Sequence, residues 1–338
     1  MVISLLSWSA TTWAVGHARS FGYLACAQAL MGISEACYML AGLALIADYH
    51  GPRTRSLATG LHQSGIYIGV VVGGVGGGWL AQSYGWRHAF SVLGVAGLIY
   101  TPLLWAALKD PRQELAKADH PQVPQFFSSV RELMRLPGFP SMLLAFGGSS
   151  MGGWLIMTWL PLYLYERYHM SLVTAGFSAT FFIQAAAVVG ILVGGSLADL
   201  WSRRTSQGRI LIQSIGLMMC VPFVFLVGAT SSRIISAMSL VVYGFGRAWY
   251  DCNVMPVLCQ TARPNLRATG YGLFNLSGTL LGGVTAGLAG ILKSSLGIGG
   301  CVQVASMIFL FSSLVLFRLV MPRTQGPFYA KSPEGSLN

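Results

Sequence analysis

Charged residues are scarce in this chain. Asp, Glu, Lys and Arg together make up 9% of the 338 residues, and only 10 of them are acidic. Hydrophobic residues make up 54%, and the mean hydropathy is +0.62. Because soluble domains carry roughly 25% charged residues, this composition excludes an ordinary water-soluble domain. A chain with so few charges is predicted to lie in a lipid bilayer.

Patterns for catalysis and metal binding are also missing from the sequence. It contains no Walker-type phosphate loop, no nucleophile elbow and no metal-spaced pair of histidines. The 6 cysteines fall in apolar runs, where they resemble small buried hydrophobic residues and provide no disulfide framework. We therefore predict no enzymatic or ATP-driven chemistry, no cofactor and no metal.

Long apolar stretches are abundant by contrast. A helix that crosses the hydrocarbon core needs about 20 mostly apolar residues. Ten stretches are candidates, at residues 1–16, 21–46, 57–82, 88–108, 141–166, 175–198, 209–230, 234–260, 267–292 and 298–320. The 42 glycines fit helices that pack closely in lipid. The sequence therefore predicts an all-α membrane protein with about ten transmembrane helices.

The basic residues are distributed unevenly between the two ends of these helices. If successive helix ends alternate sides, one side holds only Arg19, Arg87, Arg167, Arg233 and Lys293. All other basic residues fall on the opposite side, except Arg247, which lies inside a stretch. Cytoplasmic loops carry the excess of Lys and Arg, so the net charge of +11 sets topology and does not indicate a nucleic-acid partner. The C-terminus is predicted to be cytoplasmic.

A polar segment divides the apolar stretches into two sets. Residues 109–140 contain several prolines and mixed charges. We predict an N-terminal bundle at 1–108, a cytoplasmic linker at 109–140, a C-terminal bundle at 141–321 and a cytoplasmic tail at 322–338.

The two sets resemble each other. Ala58-Thr59-Gly60 recurs as Ala268-Thr269-Gly270, an offset of 210, and each triplet follows a basic turn. Four predicted helices precede the linker and six follow it, so the repeat predicts that two N-terminal helices are absent. Met1 also opens directly into an apolar run without the basic start of a signal peptide.

Four glycines recur at every fourth residue of the third stretch. They are Gly65, Gly69, Gly73 and Gly77. Residues four apart share one face of a helix, and small residues there let another helix approach. This ridge is predicted to pack against a neighbouring helix.

The most specific motif lies between the sixth and seventh stretches. Gly195, Asp199, Arg203 and Arg204 are spaced as Gly-x-x-x-Asp-x-x-x-Arg-Arg. The glycine lets two helices approach closely. The aspartate can pair with an arginine or face the positive N-terminal end of a neighbouring helix. Such a cluster can hold two helices together in one conformation and release them in another.

This motif resembles the signature of major facilitator superfamily (MFS) transporters. Residues 31–90 are similar to helices four to six of that family, most closely of its anion:cation symporter and Spinster-like branches. The similarity is carried by Gly32-Ile-Ser-Glu35, Asp48 at a helix end, the turn with Arg53 and Arg55, and Gly85-Trp-Arg-His-Ala-Phe90. It implies two pseudo-symmetric bundles, the first incomplete, and transport by alternating access. Asp48, Arg53 and Arg55 would then form the first half's part of a gate.

Charged residues at bilayer depth are costly and are functional candidates by default. Arg247 and Asp251 are four residues apart, so they share a helix face and can pair. The pair either pins the helix or lines a cavity, where Arg247 would grip an anion and Asp251 would balance or gate it. Tyr250, Asn253 and Asn275 are predicted to supply further hydrogen bonds to a ligand.

Glu35 is the third charged candidate. The resemblance would place an arginine at position 28, but this chain has Gln28. A buried carboxyl without a cation suits a group that gains and loses a proton, although it could also stay protonated and bond a backbone carbonyl. Gln63 and Tyr67 share a helix face and are predicted to reach the cavity, with Trp154 and Gln184 as weaker candidates; a lone aromatic is usually packing.

These observations predict a secondary active transporter of a small organic anion in a bacterial inner membrane, coupled to protons. Its expected partners are that anion, a proton and the lipid bilayer, with neither nucleic acid nor an obligate protein partner. Two alternatives remain open. The chain could be a Spinster-like lipid or lysolipid transporter, which a laterally open apolar cavity would favour, or a truncated, inactive paralogue.

Overall fold

The computed structural model describes residues 1–51, 53–108 and 126–320, and within these ranges all regular structure is helical. Most of the predicted linker, residues 109–125, and the predicted tail at 322–338 lie outside the described residues. The all-α class predicted from composition is therefore confirmed for the described ranges.

Eleven helices follow one another in the described ranges. They are α1 (Val2–Gly16), α2 (Phe21–Tyr49), α3 (Arg55–Tyr84), α4 (Trp86–Ala107), α5 (Phe126–Arg135), α6 (Phe139–Tyr168), α7 (Leu172–Ser202), α8 (Gly208–Ala229), α9 (Arg233–Asp251), α10 (Val254–Thr261) and α11 (Pro264–Val320). Seven of them are long and apolar enough to cross a membrane, namely α2, α3, α4, α6, α7, α8 and α11.

Two predicted boundaries differ from the structure, each for a local reason. The stretch 234–260 is two helices, because Asn253 Nδ2 donates to the Trp249 carbonyl and the chain turns between α9 and α10. The stretches 267–292 and 298–320 are both parts of α11, which is interrupted at Gly297, where φ is 67°. A glycine adopts this left-handed conformation without steric cost.

The helices pack as two groups, which we call the first half (α1 to α4) and the second half (α6 to α11). In the first half α1 packs against α2 and α4, and in the second half α11 packs against α6 and α8 while α9 packs against α7 and α8. Small residues allow these approaches: a Cβ at Gly190 or Gly244 would overlap the backbone of the facing helix. Most of the buried apolar core lies in the second half.

Helix α3 joins the halves because it packs against both α4 and α7. A Cβ at Gly60 would lie 3.2 Å from the Ile191 carbonyl oxygen. The predicted glycine ridge is not this contact surface: a Cβ at Gly65, Gly69 or Gly73 would meet no described atom within 4 Å. Consecutive helix residues are separated by about 100°, so Gly65 points away from the face that carries Gly60. The ridge prediction is wrong at these three positions, whereas a Cβ at Gly77 would lie 4.0 Å from Leu93 Cδ1 on α4.

The internal repeat is visible in the structure as two arginines, one in each half, that make equivalent hydrogen bonds. Arg55 Nε and Nη2 donate to the carbonyls of His50 and Ala47. Arg267 makes the same two bonds, to Ala262 and Cys259. In each case an arginine in the first turn of one helix caps the last carbonyls of the preceding helix. These bonds pair Arg55 with Arg267, an offset of 212, which is two residues longer than the offset of 210 between the Ala-Thr-Gly triplets.

Candidate functional site

Asp199 lies where α3 of the first half meets α7 and α8 of the second. Its Oδ1 and Oδ2 accept hydrogen bonds from the backbone N–H groups of Ser56 (3.2 Å) and Leu57 (2.9 Å), in the first turn of α3. Arg209 Nη2 lies 2.7 Å from Asp199 Oδ1, and Arg209 Nε donates to Ser56 Oγ at 2.8 Å. We call these four residues the Asp199 cluster. The first N–H groups of a helix lack intrahelical partners and carry positive partial charge, so they suit a carboxylate.

The cluster is buried and tightly packed. Asp199 is 4% exposed and Arg209 is fully buried. A Cβ at Gly195 would lie 3.0 Å from the Ser56 carbonyl oxygen and 3.1 Å from Leu57 Cα, so a side chain there would force the helices apart. The glycine and the aspartate of the motif therefore occupy the geometry that the sequence analysis described, a close helix approach and a helix N-terminus.

The arginine partner of Asp199 is Arg209 and not one of the two motif arginines. Arg203 and Arg204 are exposed at the end of α7. Sequence reasoning missed Arg209, although an arginine at the very start of an apolar stretch was a usable signal, because a charge entering a buried helix requires a partner.

The other predicted gate residues lie close by in the chain. Arg55 caps the end of α2, as described above, and Asp48 is near enough to interact with it electrostatically. Arg53 is exposed in the turn before α3. The bonds of Arg55 fix the α2–α3 corner that presents Ser56 and Leu57 to Asp199.

A second polar cluster lies further along α3, and we call it the Arg247 cluster. Arg247 Nε lies 3.1 Å and 3.2 Å from the two carboxylate oxygens of Asp251. Arg247 Nη1 donates to the Ser149 carbonyl at 2.7 Å, and Tyr67 Oη donates to Asp251 Oδ2 at 2.8 Å. The pair that the spacing predicted is therefore formed, and Tyr67 links it to the first half.

The Arg247 cluster faces a cavity of about 240 Å³ between α3, α6, α7 and α9. The side chains of Arg247 and Asp251 are 18% and 20% exposed. Five further polar side chains line the cavity: Tyr67, Ser150, Thr180, Gln184 and Tyr243. The hydrogen bonds of Arg247 to described residues use Nε and Nη1, and none uses Nη2. A mostly apolar cavity with a few convergent polar groups is the usual form of a small-molecule site.

The remaining predicted residues do not line this cavity. Tyr250 is 2% exposed, with its ring centre 5.3 Å from the Arg247 guanidinium carbon. Asn253 and Asn275 donate to the carbonyls of Trp249 and Tyr271 in their own helical segments. Gln63 is half-buried on α3, with its Oε1 buried and unpaired in the described structure. The amides of Asn253 and Asn275 therefore contact the backbone of their own segments.

Glu35 is exposed on α2, which differs from the expectation of a buried carboxyl. Its neighbour Ser34 faces the interior and donates to the Leu30 carbonyl. Adjacent helix residues point about 100° apart, so Glu35 turns away from that contact. Its predicted part in the ion pathway stays a prediction.

Sequence reasoning ranked Trp154 and Gln184 as weak candidates, yet both line the cavity. Tyr243 also lines the cavity, and the sequence signal for it is its position four residues before Arg247, on the same helix face. Ser150 and Thr180 carried no signal beyond being polar residues in apolar helices.

An apolar groove of about 500 Å³ continues from the cavity between α3 and α7. Thr180 borders both spaces. The groove is lined mainly by Val70, Val71, Val75, Trp79, Phe177 and Phe181, and Gln82 lies at its edge. The two helices therefore touch at the level of the Asp199 cluster and are separated by the groove at the opposite end.

Comparisons with known proteins agree with this architecture. The family model described as Major Facilitator Superfamily matches residues 1–287. The chain is 26% identical over 293 residues to an MFS-type efflux pump of Mycolicibacterium smegmatis, covering 86% of this chain and 68% of that protein. It is 25% identical over 331 residues to a probable galactarate/D-glucarate transporter of Escherichia coli, with coverage of 87% and 72%.

Solved structures show the same fold. The Escherichia coli fucose:proton symporter aligns with a TM-score of 0.74 at 14% identity, covering 94% of this chain and 82% of that chain. The human organic anion transporter MFSD10 aligns with a TM-score of 0.70 at 18% identity, with coverage of 93% and 76%. A bacterial homologue of the human lysosomal transporter Spinster aligns with a TM-score of 0.61 at 18% identity, with coverage of 94% and 81%.

Proposed function

This chain belongs to the Major Facilitator Superfamily, and we propose that it carries a small organic anion across the membrane together with protons, by alternating access between two helical bundles. It is an integral membrane protein, and its relatives are named transporters, not enzymes. The bundles would be residues 1–108 and 141–321, joined by a cytoplasmic linker at 109–140 and followed by a cytoplasmic tail at 322–338. A bacterial inner membrane fits the relatives' sources.

The substrate proposal depends on one observation, the orientation of Arg247. Asp251 and Ser149 hold its Nε and Nη1, while Nη2 has no hydrogen-bond partner in the described chain and the residue lines the cavity. A fixed guanidinium with a free donor suits a carboxylate, which binds arginine with strong charge-assisted hydrogen bonds. The named substrates of several relatives, galactarate, D-glucarate and hexuronates, are organic acids.

We propose that the Asp199 cluster is the cytoplasmic gate. Its bonds join α3 of the first half to α7 and α8 of the second, so they must break before the halves can separate at this end. The excess of basic residues at this end supports a cytoplasmic location for it. The sequence alone predicts Glu35 as the proton carrier, and this residue is exposed on α2.

The substrate proposal is tested by binding of D-glucuronate, a hexuronate, to the purified full chain. Trp154 lines the cavity, so quenching of tryptophan fluorescence provides a signal. Arg247→Ala removes the guanidinium, and we expect its affinity for D-glucuronate to fall by at least tenfold, because a charge-assisted hydrogen bond contributes about 1.5–3 kcal/mol. Arg263→Ala is the matched control, because Arg263 is exposed in the turn before α11. Equal affinities in the two variants would refute the anion site.

A second candidate, a Spinster-like carrier of lipids or lysolipids, is favoured by the apolar groove beside the cavity. Val75→Trp would fill this groove without touching Arg247. If a lysolipid is the substrate, this change abolishes its transport in proteoliposomes. If a compact organic acid is the substrate, D-glucuronate uptake stays within about twofold of the original chain, since no bond to Arg247 is lost. If the chain neither binds nor transports D-glucuronate or the lysolipid, the third alternative, an inactive paralogue, is supported.

A further inference from the structure

Asp251 has partners in both halves of the molecule. Within the second half it pairs with Arg247, whose Nε lies close to both of its oxygens. From the first half it accepts the Tyr67 hydroxyl at 2.8 Å, a contact between residues 184 apart in the chain. Any change in the charge of this carboxyl therefore alters both its pairing with Arg247 and its hydrogen bond to Tyr67 of the first half.

The charge balance of the cavity is incomplete for an incoming anion. Arg247 and Asp251 together are neutral, so a bound carboxylate would place two negative groups beside one guanidinium. The pair is largely buried, and like charges in such a site strongly disfavour ionisation of both. The other titratable groups around Asp251 are Tyr67 on α3, Cys220 on α8, Tyr243 and Tyr250 on α9, Cys252 directly after α9, and Tyr271 on α11. These groups are neutral at physiological pH, so none of them compensates the added charge.

We infer that Asp251, rather than Glu35, takes up the proton that enters with the anion. The inference rests on the proposed anion transport. Protonation forms an O–H bond on the Asp251 carboxyl and breaks one on a hydronium ion that enters from the solvent, which leaves a neutral water molecule. When the anion is released, the Asp251 O–H bond breaks and the proton returns to water as hydronium. One proton is then bound together with each carboxylate that pairs with Arg247. Glu35 is exposed on α2 and does not line the cavity.

Protonation also changes the contact between the halves. The neutral carboxyl releases Arg247 Nε, which becomes available to the substrate next to the free Nη2. The Tyr67–Asp251 bond changes from a charge-assisted hydrogen bond to a neutral one, which is roughly half as strong. Binding of anion and proton together thus loosens α3 from α9 at the cavity, whereas either one alone leaves an unbalanced charge.

The first experiment follows D-glucuronate binding to the purified full chain as a function of pH. In the original chain we expect affinity to rise by up to about tenfold for each unit that the pH falls, because one proton is bound with the anion. Asp251→Asn mimics the protonated carboxyl, so this variant should bind the anion at every pH with nearly constant affinity. A pH profile unchanged from the original chain, or a loss of binding, overturns the inference.

The second experiment separates proton coupling from substrate movement in proteoliposomes. Asp251→Asn should lose D-glucuronate accumulation driven by an inward proton gradient, by at least tenfold, and should keep exchange of labelled for unlabelled D-glucuronate. Glu35→Gln should keep both. Proton-driven accumulation that survives in Asp251→Asn, or that is lost only in Glu35→Gln, contradicts the assignment. If the original chain neither binds nor exchanges D-glucuronate, the proposed function fails before Asp251 is tested.

A milder variant keeps the test decisive if Asp251→Asn does not fold. Tyr67→Phe removes one donor to the charged carboxyl and leaves the ring in place. The pH of half-maximal anion binding should then shift upward, because the charged form of Asp251 has lost a stabilising bond. Leu61→Ala on the same helix, exposed and outside the cavity and the Asp199 cluster, is the control and should leave the midpoint where it was. An unshifted midpoint in Tyr67→Phe counts against the inference.

Discussion

Asp199→Asn is the substitution that most directly tests how the two halves are held together. The change keeps the size of the side chain but removes the charge that faces Arg209 and two N–H groups of α3. Arg209 is fully buried, so it would remain in the closed interface without its carboxylate. Removing one partner of a buried ion pair typically costs about 3–5 kcal/mol.

This cost falls only on the conformation in which the cluster is closed, because separation of the halves exposes Arg209 to water. Each 1.4 kcal/mol corresponds to a factor of ten, so the ratio of closed to open molecules should fall by about two to four powers of ten. Spin labels at Arg53→Cys and Arg203→Cys, both exposed beside the cluster, report the separation by pulsed electron resonance. The exposed cysteines Cys26 and Cys37 are replaced by serine first.

We expect a longer distance to dominate in Asp199→Asn and the original distance to persist in Arg204→Gln, a control at an exposed position. Adding Arg209→Met to Asp199→Asn removes the uncompensated charge, so the double variant should open less than the single one. Identical distance distributions for Asp199→Asn and the original chain would refute the gate. Equal opening in the single and double variants would show that the buried charge is not its cause.

Two other substitutions test the close approaches at the two clusters. Gly195→Val places side-chain atoms against the Ser56 carbonyl and Leu57 Cα. It should therefore lengthen the distance between the spin labels about as much as Asp199→Asn does. Gly176→Val is the control, because Gly176 has open space around it, and it should leave this distance unchanged. A Cβ at Gly153 would already lie 3.2 Å from Arg247 Nη1, so the larger side chain of Gly153→Val would displace the guanidinium. This variant should bind D-glucuronate about tenfold or more weakly, while its free energy of unfolding falls by less than about 2 kcal/mol. Unchanged binding would show that Arg247 does not hold the anion.

Local features of the site were predictable from the sequence. The Arg247–Asp251 pair follows from a spacing of four on one helix, which fixes a shared face whatever the surroundings. The glycine and aspartate of the motif likewise imply a close approach and a helix end. The partner of Asp199 was not predictable, because Arg209 and the N–H groups of Ser56 and Leu57 reach it only when three helices are assembled.

The glycines show the same division more sharply. Gly60 and Gly195 mark real contacts between helices, whereas Gly65, Gly69 and Gly73 face open space in the described structure. Periodicity identifies a smooth face on α3 but not the helix that would cover it. The repeat offset shows the same limit of sequence matching. The Ala-Thr-Gly triplets are 210 residues apart, whereas the arginines that make equivalent capping bonds, Arg55 and Arg267, are 212 apart.

By itself the sequence determined that this protein lies in a lipid bilayer, roughly where its helices are, which family it belongs to, and that Arg247 and Asp251 pair. Composition and period act along a single helix, and a helix forms the same bonds wherever it is placed. Only the tertiary structure decided that Tyr67 reaches Asp251, that Arg209 holds Asp199 and that an apolar groove adjoins the Arg247 cavity. These contacts join residues far apart in the chain, so they depend on how whole helices are arranged.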